Sequence, residues 1–309
     1  MPVSTSVHVA DTLHEIIMLN PASVLDIGCG FGKWGYLCRE YLDVFLGRVQ
    51  PHEWTARIDG IEFFEPYIMP HQRFLYNNIY IGDVCELSKS IGDYEMIIAG
   101  DVIEHIDKDM AEEVVERLYA RATRALLVNI PIGEGWIHPE AYGNPAELHR
   151  SVWYPEDFRS FQPVERAYQF ASGLLYGTFV CRKSLATDAR VKGYLDAVRF
   201  YEELKDPAAA CRYLRRANAL DPGHLGVAMA LTDYQLKQGA PQDAVATLER
   251  CVSADAHCAT GHLMLAQVLR LLGATDRAQG HLAHVLTMAG ASEEERQQAG
   301  NLRAEWGTP

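Results

Sequence analysis

Three groups of residues in this chain have types and spacings suited to chemistry. The first is the run Val24-Leu25-Asp26-Ile27-Gly28-Cys29-Gly30-Phe31-Gly32, apolar at first and then broken by alternating glycines. Glycine lacks a Cβ, so such a loop turns sharply and brings its backbone close to a ligand. The second group is a set of carboxylates that each follow a short apolar run: Glu62 after Gly60-Ile61, Asp83 after Ile81-Gly82, and Asp101 after Ile98-Ala99-Gly100. Glu62 stands where it can accept from two ribose hydroxyls, and Asp83 is a second carboxylate beside the same crevice. Asp26 and Asp83 also have plainer readings, Asp26 as the cap of the turn that follows and Asp83 as a helix N-cap. The third group is a pair of histidines, His105 in Asp101-Val102-Ile103-Glu104-His105 and His149 in Glu147-Leu148-His149-Arg150. Imidazole ordinarily titrates near 6.5, so either ring can take a proton from an acceptor close to neutral pH. Each also has a structural reading as a polar contact.

Asp101, Glu104, His138 and His149 supply enough donors for a metal ion, but their spacing follows no recognised metal motif, and no metal is expected. The segment from Pro131 to about Pro155 is rich in Gly and Pro and reads as a substrate loop or lid. Within it, Trp136 and Trp153 are read as pocket walls or lid packing, and Arg150 as an anion contact or a surface ion pair.

These groups need a frame to bring them together. Ser23–Ile27, Arg57–Ile61, Tyr80–Ile81, Glu95–Ala99 and Ala125–Ile130 read as strands, with helices after Gly28 and from Lys108 to about Ala122. That alternation predicts an α/β fold, a Rossmann-like and largely parallel sheet. Ligands bind such sheets outside the carboxyl ends of the strands, where the glycine loop and carboxylates fall. Arg166–Ala171 and Tyr176–Cys181 read as a late hairpin that gives the sheet an antiparallel edge, and a helix is expected from about Pro155.

After Arg182 the strand signal stops and a repeat takes over. Leu231 recurs as Leu265, Gly239 as Gly273, Ala244 as Ala278 and Leu248 as Leu282, each 34 residues on. Ala210 and Leu214 extend the series backwards, with Lys205 in the glycine position. A period of this length is the signature of tetratricopeptide-like helical hairpins, expected here at about 189–222, 223–256 and 257–290, with a last helix from about Glu293. Phe200, Tyr234 and Val268 share one phase and are read as core of the stack. The expected domains are therefore 1–186 and 187–309, the second all-α.

Composition narrows the function classes. The chain has 309 residues, 48% hydrophobic and 22% charged, which excludes a disordered or fibrous class. Residues 1–188 carry 15 Lys and Arg against 27 Asp and Glu, net −12, of the chain's −13. So acidic a first half disfavours attraction to a nucleic-acid backbone. No apolar stretch is long enough to span a membrane, the start reads as no signal peptide, and seven cysteines without a CxxC pair fit a reducing, cytoplasmic setting.

With the order of these segments in view, residues 20–182 resemble the class I S-adenosylmethionine-dependent methyltransferases. VLDIGCGFG is similar to their first motif, GIEFFEP to the ribose-binding region, IGDV to the adenine-binding region, YEMIIAGDVIEHID to the fourth strand and its loop, and ALLVNIP to the fifth strand. The resemblance implies S-adenosyl-L-methionine as cofactor. It places Gly28 and Gly30 at the methionine portion with Asp26 supporting the loop, Glu62 on the ribose diol, Phe63 near adenine and Asp83 on the adenine amino group, beside Val84. Gly100 and Asp101 border the amino-acid end, and His105 and His149 are the candidate catalytic residues. The implied reaction is methyl transfer to an oxygen or nitrogen of a small-molecule acceptor. A protein acceptor is one alternative, and a non-catalytic interaction protein that keeps the fold is another. The repeats are expected to form a homodimer or protein-partner surface, or to extend the structure.

Overall fold

Alternation along the central strands decides which side chains share a face, and two buried layers follow from it. A computed structural model describes residues 4–136, 143–183 and 187–306, in two compact units, 1–185 and 186–309. In chain order the first unit has α1 (Val9–Leu19), β1 (Ser23–Ile27), α2 (Lys33–Leu42), β2 (Arg57–Glu62), α3 (Pro70–Leu75), β3 (Asn78–Ile81) and α4 (Val84–Leu87). It continues with β4 (Tyr94–Gly100), α5 (Lys108–Arg121), β5 (Ala122–Ile132), β6 (Val164–Gln169) and β7 (Leu175–Arg182). Leu25, Ile27, Ile97, Ala99, Leu126 and Val128 pack in one layer with Val114, Val115 and Leu118 of α5. The intervening Val24, Met96, Ile98 and Leu127 pack in the other with Ile16 of α1 and Trp34 and Cys38 of α2. Strands buried on both faces read as nearly continuous apolar runs, as β1, β4 and β5 do.

The seven strands form one sheet in the order β3-β2-β1-β4-β5-β7-β6. β1 to β5 run parallel, and β7 pairs antiparallel with both β5 and β6. The strand that runs against the others is thus one place in from the edge, because the hairpin folds back and inserts its second strand beside β5. The edge strand itself, β6, points the same way as β1 to β5. Strand order reverses at β1 and β4, whose registers align Ile27 with both Ile61 and Ala99. A crevice forms at such a switch point, outside the carboxyl ends of the strands. The helix expected from Pro155 is a 3₁₀ segment, Pro155–Phe161, whose first turn is held by Asp157 accepting from the Tyr154 amide at 2.8 Å.

The second unit is all-α: α6 (Thr187–Glu203), α7 (Pro207–Leu220), α8 (Leu225–Lys237), α9 (Pro241–Ala254), α10 (Ala259–Leu271), α11 (Thr275–Thr287) and α12 (Glu293–Trp306). Each helix packs on the next. Starts at 207, 241 and 275, and at 225, 259 and 293, both step by 34 (241 − 207 and 259 − 225). Ala210, Leu214, Leu231, Ala244, Leu248, Leu265, Ala278 and Leu282 are all fully buried. The aromatic phase behaves otherwise. Val268 is buried, but Phe200 and Tyr234 are half-exposed, and the Tyr234 hydroxyl donates to exposed Glu202 at 2.8 Å. A phenol needs a hydrogen-bond partner, and this one finds it at the surface rather than in the core. No helix among the described residues is long and apolar enough to cross a membrane.

Candidate functional site

Four strand ends converge on one cavity of about 840 Å³ in the first unit, large within the range of roughly 300–1,000 Å³ usual for small-molecule sites. Its floor is the glycine loop. Gly28, Gly30 and Gly32 all have positive φ, at 66°, 48° and 86°. A Cβ on Gly28 would fall 2.3 Å from Val102 Cγ2, so position 28 requires glycine for both conformation and space. Glu62 ends β2, nearly buried, and lines the cavity. Its Oε2 accepts from the Gly30 amide and its Oε1 from the Phe64 amide, both at 2.9 Å. A carboxylate oxygen has two lone pairs, so these bonds orient the group and leave acceptor capacity. Burial raises the Glu62 pKa, and the Phe64 and Gly30 amides oppose that rise.

Phe63, 52% exposed, and Val84, buried, also line the cavity. Asp83 is exposed along the same wall, and its Oδ1 caps α4 by accepting from the Cys85 amide at 2.7 Å. Its N-cap and cavity-facing placements therefore coexist. Gly100, the last residue of β4, and Asp101 after it line the cavity, Asp101 with a left-handed φ of 54° and its Oδ1 accepting from the Tyr176 hydroxyl at 2.7 Å.

Asp26 is the exception among the expected cofactor residues: it does not line the cavity. It is buried behind the loop, where its Oδ2 accepts from the Tyr76 hydroxyl at 2.5 Å. That hydroxyl in turn accepts from the Gly35 amide at 3.0 Å. The chain Gly35–Tyr76–Asp26 ties the first turn of α2 to the end of β1, which is why the loop holds its shape. A Cβ on Gly35 would lie 2.1 Å from the Tyr76 ring. Burial pushes the Asp26 carboxyl up to about 7, with Tyr76 and Lys33 opposing.

At the other end, the 3₁₀ turn Ile103–His105 meets the loop that carries His149. The His105 and His149 rings lie 4.9 Å apart at 68°. Amides of Arg150 and Ser151 donate to the Glu104 carbonyl at 2.8 and 3.0 Å, clamping the loop to the turn. His149 Nδ1 lies 3.3 Å from the Trp136 carbonyl; a carbonyl only accepts, so Nδ1 is the donor of that bond. Glu147 anchors the same loop by accepting at 3.1 Å from both the Tyr67 hydroxyl and the Asn144 amide. Glu104 is 2% exposed, and neither carboxylate oxygen has a hydrogen-bond partner among the described residues. Burial, followed by the charge of Asp101, holds its carboxyl well above the usual range.

Trp136 lines the cavity and donates to the Leu175 carbonyl at 2.9 Å. Trp153 is core, stacked on Phe158 with Lys108 Nζ 3.6 Å from its ring centroid. Arg150 lines the cavity and is exposed. His138 and its neighbours, 137–142, lie outside the described residues. The structure adds Ser4, Lys33, Tyr67, Asn144 and Tyr176 to the lining. Lys33 was legible, directly following the glycines; Nζ donates to Ser4 Oγ at 2.5 Å, and burial lowers its pKa while Asp101 and Asp26 oppose this. Tyr176 and Asn144 had no local signal.

No protein-family model matches the chain, and no curated protein matches it in sequence. Among solved structures it is similar to TehB from Haemophilus influenzae, at 14% identity and a TM-score of 0.41 over 59% of this chain and 64% of that one. It is also similar to 1,6-didemethyltoxoflavin-N1-methyltransferase from Burkholderia thailandensis, at 15% identity and a TM-score of 0.41 over 58% of this chain and 78% of the other. A third likeness is to MamA, at 20% identity and a TM-score of 0.30 over 38% and 71%. The chain thus spans less than two thirds of the length of TehB. The strand order and directions define a Rossmann-like mixed sheet typical of class I methyltransferases, followed by an all-α region.

Proposed function

We propose that the first unit binds S-adenosyl-L-methionine and transfers its methyl group to an oxygen or nitrogen of a small-molecule acceptor. The observation that carries this reading is the convergence of the glycine loop, Glu62, Asp83 and Asp101 from four adjacent strand ends on one cavity. In it, Glu62 accepts from the ribose diol, Asp83 from the adenine amino group, and Phe63 and Val84 pack along the base. Gly28, Gly30 and Gly100 admit the methionine portion, Asp101 meets its amino group, and Lys33 stands beside for its carboxylate. Asp26 acts through the loop rather than on the ligand.

The sulfonium is an intrinsically reactive methyl donor, so enclosure and in-line alignment supply much of the acceleration. As the acceptor atom bonds to the methyl carbon, the carbon–sulfur bond breaks and sulfur keeps the electron pair. A hydroxyl acceptor must also lose its proton. His105 and His149 face that end of the cavity, and the proton goes to one of them or to solvent. The acidic surroundings of residues 1–188, net −12, support a small acceptor over a nucleic acid. The 34-residue step of the helix starts supports a tetratricopeptide-like stack, 187–309, acting as a dimer or partner surface.

Isothermal titration with S-adenosylmethionine and S-adenosylhomocysteine tests the site. Glu62→Ala removes a charge-assisted acceptor worth about 1.5–3 kcal/mol, so both ligands are expected to bind about tenfold or more weakly. Unchanged curves from a folded variant would overturn the assignment of Glu62.

A further inference from the structure

The sequence spacing gave no reason to expect a metal, yet the fold brings three donors together. One ligand atom each from Glu104, His105 and His149 lies within 4.8 Å of the others. From this cluster we infer that the chain binds a divalent transition cation at the acceptor end of the cavity, through the Glu104 carboxylate and the two imidazoles.

Several independent features fit. Donors about 2.0–2.2 Å from a zinc-like ion sit no more than about 4.4 Å apart, so the three need close by only a few tenths of an ångström around a common centre. The Glu104 carboxylate is buried and neither oxygen has a hydrogen-bond partner among the described residues. Buried carboxylates are normally hydrogen-bonded, paired or metal-bound, and a cation supplies what this one lacks. The Trp136 carbonyl accepts from His149 Nδ1 and orients the ring, the arrangement by which outer-shell groups orient ligating histidines. The two amide bonds from the His149 loop to the Glu104 carbonyl fix the ligands' backbones relative to each other. Two imidazoles with one carboxylate favour zinc, iron, cobalt or nickel over magnesium or calcium, which take oxygen sets.

Three protein ligands leave a coordination position open, and all three residues line the cavity. An oxygen of the acceptor would fill that position, where the cation would lower the pKa of a bound hydroxyl and let its proton leave to solvent. This last step rests on the methyl-transfer reading; the cation site itself does not. It also narrows the acceptor to molecules with an oxygen that reaches the cation, either the methylated atom itself or one beside it.

The test uses the full chain, stripped with a chelator and titrated with cobalt(II), whose visible d–d bands report coordination directly. One cobalt per chain is expected, with affinity falling by about tenfold or more in Glu104→Gln and in His149→Ala. His149 sits on a partly exposed loop, so its variant tests the site even if loss of Glu104 perturbs folding, which circular dichroism checks. Absence of a stoichiometric cobalt spectrum in the wild-type chain overturns the proposal, as does wild-type affinity in a folded His149→Ala chain. S-adenosylhomocysteine titrated in parallel keeps the two readings apart. Cobalt binding without nucleoside binding retains the cation site and removes the methyl-transfer reading.

Discussion

Asp26 and Glu62 show how two carboxylates in neighbouring strands take different work from different surroundings. Glu62 meets two backbone amides and the cavity, whereas Asp26 meets one phenol and the interior. Burial holds the folded Asp26 carboxyl at about 7, against about 3.9 in an unfolded chain. Between those values the folded state keeps a proton that the unfolded state releases, so this residue's contribution to stability falls as pH rises through that window and levels above it. Asn cannot titrate. Urea unfolding of wild type and Asp26→Asn is therefore expected to show a difference that shifts in favour of the variant from about pH 4 to about pH 7. A pH-independent difference would refute the buried titration. The glycine loop, Glu62 and Asp83 were legible because each is local, a short apolar run ended by a residue of known use. The meeting of Glu104, His105 and His149 was not, because tertiary amide bonds make it, and nothing in the spacing of a turn and a distant loop encodes them.

At the scale of elements, strand identities were read correctly from apolar runs, while their ends and the hairpin's insertion beside β5 depended on partners the local sequence does not name. The helical period was equally legible, since small and leucine positions recur wherever helices cross. The C-terminal turns of α8 and α10 each use a glycine in the left-handed region, Gly239 at 73° and Gly273 at 75°. After α6 the same place in the repeat is Lys205, at 58°, so the turn is kept although its residue is unsuited to it. A side chain in that region costs about 1–2 kcal/mol, partly offset in glycine by greater freedom of the unfolded chain. Lys205→Gly is thus expected to raise the unfolding free energy of the helical unit by up to about 1 kcal/mol, read from urea denaturation. A loss of stability would show that the lysine side chain contributes more than its backbone strain costs.

At the scale of the whole molecule, the division of the chain coincides with a division of chemistry. Every strand of the sheet ends before Lys183, and the lining of the cavity runs from Ser4 to Tyr176. The helical unit carries its own core, with Ala244, Leu248, Leu265 and Leu282 buried among themselves. What marks a boundary in the sequence is the change of periodicity from strand alternation to a 34-residue step. The use made of the second unit was not, since a stack buries the same small residues whatever its outer surface binds. A shortened chain ending at Lys183 retains all seven strands and the whole described lining. Its S-adenosylhomocysteine affinity is expected to match that of the full chain within about twofold, the scatter typical of independent sites. Solubility is a separate matter and is measured independently of affinity. The informative comparison is therefore titration of both chains alongside their circular dichroism and thermal transitions. Lost affinity in a shortened chain that keeps a native spectrum and a cooperative transition would mean that the second unit supports the site, and that binding and sheet formation have different boundaries.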